Sequence, residues 1–238
     1  MRHILMGWLL LSRVLISSLS AQDFPATRYV LAPSGLNLRS APAAGAAKLL
    51  SLPYGAAVEQ LGVAEGSSIT VDGIIGGMAP LTYAGQKGFA FAGFLSRYPA
   101  PQGEKGAQAY VALARSKGLD VNYERCSRDY DGYYQEEESL ALYQASWEEA
   151  FLLAKQLFNL PTGIDFPLYG PEMVETIPNP EQDPNLWEDS LDLEWIGPGQ
   201  LARMTYYQRG EGFGTTLIIE PDEAYTDRLK IRHISIAD

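Results

Sequence analysis

Between residues 29 and 95, apolar and polar residues alternate in short runs that glycine and proline interrupt. Leu36 and Leu38 flank Asn37, which puts both leucines on one face of a strand and the asparagine on the other. The same pattern predicts strands over 49–52, 58–63, 69–71, 81–83 and 89–91. Pro53-Tyr54-Gly55 reads as a turn, Asp72-Gly73 as a two-residue hairpin turn and 84–88 as a second hairpin. Short, closely spaced strands with glycine at the turns predict a small β-barrel.

The pattern changes after Tyr98-Pro99-Ala100-Pro101-Gln102-Gly103, a stretch that reads as a linker because proline stiffens it and glycine ends it. Residues 107–116 have helical apolar spacing and stop at Lys117-Gly118, and a strand is expected over 119–126. A second helix starts at Ser146, with Glu149 three residues on as in a capping box. Phe151, Leu152, Ala154, Leu157 and Phe158 form its buried face before Pro161. An antiparallel meander follows over 191–196, 201–208, 215–219 and 229–236, with a hairpin loop at 210–214 and a solvated loop at 180–192. The fold class expected is mainly β with α+β: a small barrel followed by an α+β domain whose antiparallel sheet is built from consecutive strands.

Charge divides the chain at the same place. Residues 22–100 hold five Lys/Arg and four Asp/Glu, a net of +1, whereas 101–238 hold eleven against twenty-five, a net of −14. The acidic half argues against nucleic acid as a partner, since phosphate contacts need Lys and Arg. The N-terminus has the order of a signal peptide over 1–21: basic Met1-Arg2-His3, an apolar run, then Leu19-Ser20-Ala21 before Gln22-Asp23. Arg13 leaves that run too short for a membrane span, so the mature chain is expected to be exported, periplasmic or extracellular, with no transmembrane segment. Cys126 is the single cysteine, so no intrachain disulfide forms and stability comes from packing.

The block Leu36-Asn37-Leu38-Arg39-Ser40-Ala41-Pro42, then Gly55 before an apolar strand, then Gly88-Phe89-Ala90 and Phe94-Leu95, resembles the bacterial Src-homology-3-like (SH3b-type) family. The resemblance covers 26–98 and implies an SH3-like barrel that binds a cell-wall polymer or an envelope protein. Residues 104–238 would form a separate acidic domain. The family's usual tryptophan is replaced by Phe89, and no Trp stands between Trp8 and Trp147. Tyr54, Tyr83 and Phe89 remain as the aromatic residues for a ligand surface. Proline-motif binding is not implied, because the acidic aromatic strand of eukaryotic relatives is missing.

Four further constellations bear on chemistry. Ser127, Asp129, Asp131, Gly132 and Glu138 partly fit the spacing of a helix-flanked calcium loop, but serine holds the first ligand position and an Asp-Gly hairpin explains the same residues. The glycines of 209–215 lack the strand-to-helix setting of a phosphate loop, and a β-hairpin loop is expected. Cys126-Ser127 and His233 resemble the Cys-Ser step and strand histidine of papain-like cell-wall peptidases; a thiolate needs such a histidine as base. Asp189 with Asp192, or Glu148 with Glu149, offer carboxylate pairs, though in so acidic a half adjacency alone says little. His233 is the single histidine after residue 21, so a histidine-rich zinc site is not available. The expected function is non-catalytic binding at the cell envelope, with no cofactor, no metal and no catalytic residue; the alternative is a cysteine peptidase using Cys126 and His233.

Overall fold

The structure, a computed structural model, describes residues 24–103, 106–168 and 174–237. The expected signal peptide lies outside the described residues.

The first part is built of β1 (Ala26–Val30), β2 (Leu36–Arg39), β3 (Lys48–Leu52), β4 (Ala57–Gln60), β5 (Glu65–Val71), β6 (Ile74–Tyr83), β7 (Gln86–Phe91), a 3₁₀ turn at Ala92–Phe94 and β8 (Leu95–Ser96). All pairings are antiparallel, in the order β3-β2-β7-β6-β4-β1-β8, with β5 on β6. The alternation read from the sequence is real: Leu36 and Leu38 are buried and Asn37 is exposed. Asp72-Gly73 and Ala84-Gly85 both turn with positive φ, as two-residue hairpins require.

The sheet does not close into the barrel expected from the sequence. No ladder joins the ends β3 and β8. The ladder is also thin within: a register shift at Leu38/Arg39 interrupts the β2–β3 pairing, and β2 meets β7 only at Arg39 and Phe89. The gap between β2 and β5 leaves a hollow of about 390 Å³ over Leu36, Met78 and Phe91.

The second part has helix α1 (Gly106–Ser116), hairpin β9 (Val121–Tyr130) and β10 (Tyr133–Tyr143), and helix α2 (Trp147–Leu157). Strands β11 (Val174–Pro178), β12 (Leu186–Gly197), β13 (Gln200–Gly210), β14 (Phe213–Pro221) and β15 (Arg228–Ala237) follow. They form one antiparallel seven-stranded sheet in the order β11-β12-β13-β14-β15-β10-β9. Strand β12 begins five residues before the expected 191, which corrects the reading of 180–192 as loop. Its alternation of buried Asp189, Leu191 and Leu193 with half-buried Ser190 and Asp192 and exposed Glu194 was hidden by the surrounding acids.

The two sheet faces differ in kind. Leu140, Leu191, Met204, Leu217 and Ile231 line the face covered by α1 and α2. On the other face runs a chain of ion pairs: Glu194 to Arg203 (3.3 Å), Arg203 to Glu220 (2.9 Å), Glu220 to Arg232 (3.3 Å) and Arg232 to Glu137 (2.7 Å). An isolated exposed pair contributes about 1 kcal/mol or less, and linkage into a network is what gives such pairs weight.

Buried side chains of both parts belong to one apolar cluster. The stretch expected to be a linker is packed inside it: Tyr98 is 1% exposed and Ala100 2% exposed. The Tyr98 hydroxyl donates to the Tyr143 carbonyl at 2.7 Å and the Tyr54 hydroxyl donates to the Pro101 carbonyl at 3.0 Å. At the tip of the β5–β6 hairpin, Phe166 donates its N–H to the Asp72 carbonyl at 3.0 Å.

Candidate functional site

Where the two parts meet, they leave an open cleft of about 880 Å³. Arg28 of β1 and Arg97, just past β8, stand on one side; Gln144, Ser146, Glu148 and Glu149, at the start of α2, stand on the other. Its floor is backbone, at Gly76-Gly77 of β6 and Gly93 of the 3₁₀ turn. A Cβ at Gly93 would fall 2.5 Å from Ile74 Cγ2 and 2.7 Å from the Phe91 ring, so only glycine lets that turn lie flat on the β6 strand. Ile75 and Glu148 also line a second hollow of about 240 Å³, whose other walls include Trp147, Phe166, Leu168 and Trp195. A charged cleft therefore opens beside an apolar, aromatic one.

Glu149 organises the charged end. Its Oε1 accepts from the Ser96 hydroxyl at 2.7 Å and from the Arg97 N–H at 2.9 Å, and its Oε2 accepts from the Ser146 N–H at 3.1 Å. The Ser146 hydroxyl in turn accepts the Glu149 N–H at 3.2 Å. The capping box expected from the sequence is thus present, and its carboxylate also ties the helix to β8.

These bonds leave the arginines without a carboxylate. Among the described residues neither Arg28 nor Arg97 makes an ion pair. Arg97 reaches only the carbonyls of Tyr143 and Gln144 and the Gln144 side-chain oxygen, at 3.4 to 3.5 Å. Arg28 donates to the Thr27 carbonyl at 3.1 Å and lines the cleft. Burial pushes the pKa of its half-buried guanidinium down, nearby Glu149 pulls it up and Arg97 pushes it down again. An arginine remains charged under such shifts, so the cleft holds a partly desolvated cation with unused donors. A fork of that kind matches a carboxylate, two bonds at a time.

Other residues singled out from the sequence lie elsewhere. Tyr54 is half-buried, and burial raises its pKa to about 12. The β6–β7 register pairs Phe89 with Pro80 and Gln86 with Tyr83, which places Tyr83 and Phe89 on opposite faces of that hairpin. None of the three lines the cleft.

Cys126 and His233 are not brought together. Both pair with β10, Cys126 opposite Glu137 and His233 opposite Glu138, so they project from opposite faces of the sheet with a strand between them. His233 stacks on Phe158, with ring centroids 4.6 Å apart, and Cys126 is exposed. Asp189 and Asp192 also point to opposite faces. Asp189 is buried, accepting from Asn179 Nδ2 at 2.8 Å and from the Tyr206 hydroxyl, while Asp192 accepts from the Thr176 hydroxyl at 2.8 Å.

The residues compared with a calcium loop lie along β9 and β10, joined by an Asp131-Gly132 turn, and Glu138 accepts from the Tyr123 hydroxyl at 2.5 Å. The glycines of 209–215 form the β13–β14 hairpin, turning at Glu211-Gly212.

No family model, curated protein or solved structure matches this chain. Arg28 and Arg97 are the functional candidates that sequence reasoning missed. The signal for them was slight: five basic residues in an otherwise weakly charged first part, two of which meet across β1 and β8.

Proposed function

We propose that this is an exported, non-catalytic binding protein of the cell envelope, whose first part is a Src-homology-3-like module. In this reading its ligand is a carboxylate-bearing chain, a wall peptide or an envelope protein segment, held in the cleft between the two parts. The observation that carries it is the Arg28 guanidinium: half-buried, without an ion-pair partner among the described residues, and lining an open cleft of about 880 Å³. Arg28 and Arg97 would take the carboxylate, the glycine floor would let the ligand backbone approach, and the hollow at Trp147 and Ile75 would accept an apolar side chain.

Several features support a binding role. The cleft lining contains no cysteine or histidine among the described residues, and Cys126 and His233 lie on opposite faces of one sheet. The run of short antiparallel strands ending in a 3₁₀ turn and a brief last strand on β1 suits the SH3-like resemblance. Export is supported by the order of basic, apolar and small residues over 1–21.

Because the parts share one core, the test uses the whole chain. Sedimentation with purified cell wall, and capture of envelope proteins on the immobilised chain, should both be compared between wild type and Arg28→Ala. Binding that depends on Arg28 and survives Cys126→Ala is expected. Absence of binding to either fraction would rule the reading out, and turnover of wall fragments lost in Cys126→Ala would replace it with the peptidase.

A further inference from the structure

Strand β9 forms one edge of the seven-stranded sheet and is ten residues long, against seven for β5 and five each for β3 and β11. From Glu124 to Asp129 every residue of it is exposed. An uncovered edge of this length is a template for another strand unless its side chains forbid pairing.

The hydrogen-bond phase of the sheet shows which groups are open. Gln144 donates its N–H to Asp227 at 2.7 Å, and Tyr143 donates to Asp120 at 3.5 Å. Even-numbered residues of β10 therefore bond towards β15 and odd-numbered ones towards β9. Through the β9–β10 register, the even-numbered residues of β9 are satisfied by β10. Tyr123, Arg125, Ser127 and Asp129 point their N–H and C=O groups outwards, as does Val121, whose carbonyl is taken by Arg115 Nε at 3.0 Å.

We propose that two copies of this chain associate by antiparallel pairing of their β9 edges, with Cys126 on the two-fold axis. In that register Arg125 bonds with the partner's Ser127, and Tyr123 with the partner's Asp129, all through groups that are open. Cys126 meets the partner's Cys126 at a non-hydrogen-bonded position, where Cα atoms stand about 4.5 Å apart, within the range a disulfide spans. Glu124 falls opposite the partner's Arg128, and Arg128 opposite the partner's Glu124.

Those charges are available. Arg128 has no ion pair among the described residues, and Glu124 has only Lys230 at 3.8 Å. The neighbouring registers fit less well. Moving the axis onto Arg125 sets that arginine against itself. Moving it onto Ser127 puts Cys126 opposite Arg128 and draws on Arg125, which already holds Glu136 at 2.7 Å. The charges on this edge thus select one partner strand, a second β9, from all others.

The full chain with native Cys126 tests this under a diazene oxidant, which takes two electrons and two protons from the two thiols and becomes the hydrazine. Covalent dimer should form in non-reducing gels, and Cys126→Ser should still sediment as a concentration-dependent dimer. Glu124→Arg or Arg128→Glu alone sets like charges opposite each other twice per dimer and should slow cross-linking about tenfold. The double reversal, with unchanged net charge, should restore it. A chain that stays monomeric at all concentrations, a dimer whose thiols do not cross-link, or single reversals that cross-link at the wild-type rate would each overturn the proposal.

Discussion

Glu149 accepts a hydrogen bond from the Ser96 hydroxyl at 2.7 Å, across 53 residues of sequence. The same carboxylate caps its own helix at Ser146 and holds the Arg97 N–H. One side chain therefore completes the capping box of α2 and fixes β8, while making no ion pair with Arg28 or Arg97.

Removing it should loosen the junction of the two parts. Glu149→Ala leaves the N–H groups of Ser146 and Arg97 and the Ser96 hydroxyl without their acceptor, a loss of about 2 to 4 kcal/mol, while the Ser146 hydroxyl still caps the helix. Glu149→Gln keeps one acceptor oxygen and should lose about half as much. Urea unfolding followed by tryptophan fluorescence checks both, and equal stability of Glu149→Ala and wild type would remove the carboxylate from this role.

Gly73 marks a further contact between the parts. It turns with φ of +76°, and a Cβ there would lie 1.7 Å from the Phe166 carbonyl oxygen. Gly73→Ala must displace the chain around Phe166 and distort the hairpin, costing about 3 kcal/mol or more. By contrast, Gly85→Ala has the same positive φ with no atom within 4 Å, so its cost should be about 1 kcal/mol. The difference in thermal midpoint between the two variants measures the junction separately from backbone strain.

Burial lowers the pKa of His233 below its ordinary 6.5, against the upward pull of Glu138 and Glu136. The unfolded chain then binds a proton at higher pH than the folded one. The contribution of His233 is complete above about pH 6.5 and is lost as pH falls through that value, until the folded imidazole is protonated as well. His233→Phe keeps a ring on Phe158 and removes the titration. Its unfolding free energy should fall less than that of wild type between about pH 6.5 and pH 5. Parallel pH profiles would show that the imidazole is not held neutral.

Much of the fold is legible in the sequence because it is written in near neighbours. The alternation at Leu36 and Leu38, the Asp72-Gly73 turn and the Ser146/Glu149 box each lie within a few residues, and each stands where the pattern puts it. The pattern fails where polar residues carry the structure. Residues 133–143 carry three consecutive glutamates at 136–138, yet β10 is an interior strand of the sheet, because those glutamates are met by Tyr123, Arg125 and Arg232 on its neighbours. Tyr98 to Pro101 has the composition of a linker, and nothing local reveals that Tyr143 and Tyr54 bind it. The cleft was hidden for the same reason: Arg28, Arg97 and Glu149 meet through strand order and not through spacing.

The central claim, that the cleft is a carboxylate-binding groove, is tested most directly by the affinity of the full chain for its wall or envelope fraction with and without Arg28. Loss of the guanidinium removes charge-assisted bonds to the ligand and should weaken binding by about tenfold to a hundredfold. The urea midpoint should hold, since Arg28 bonds only to the adjacent Thr27 carbonyl. Wild-type affinity in a folded Arg28→Ala variant would contradict the account.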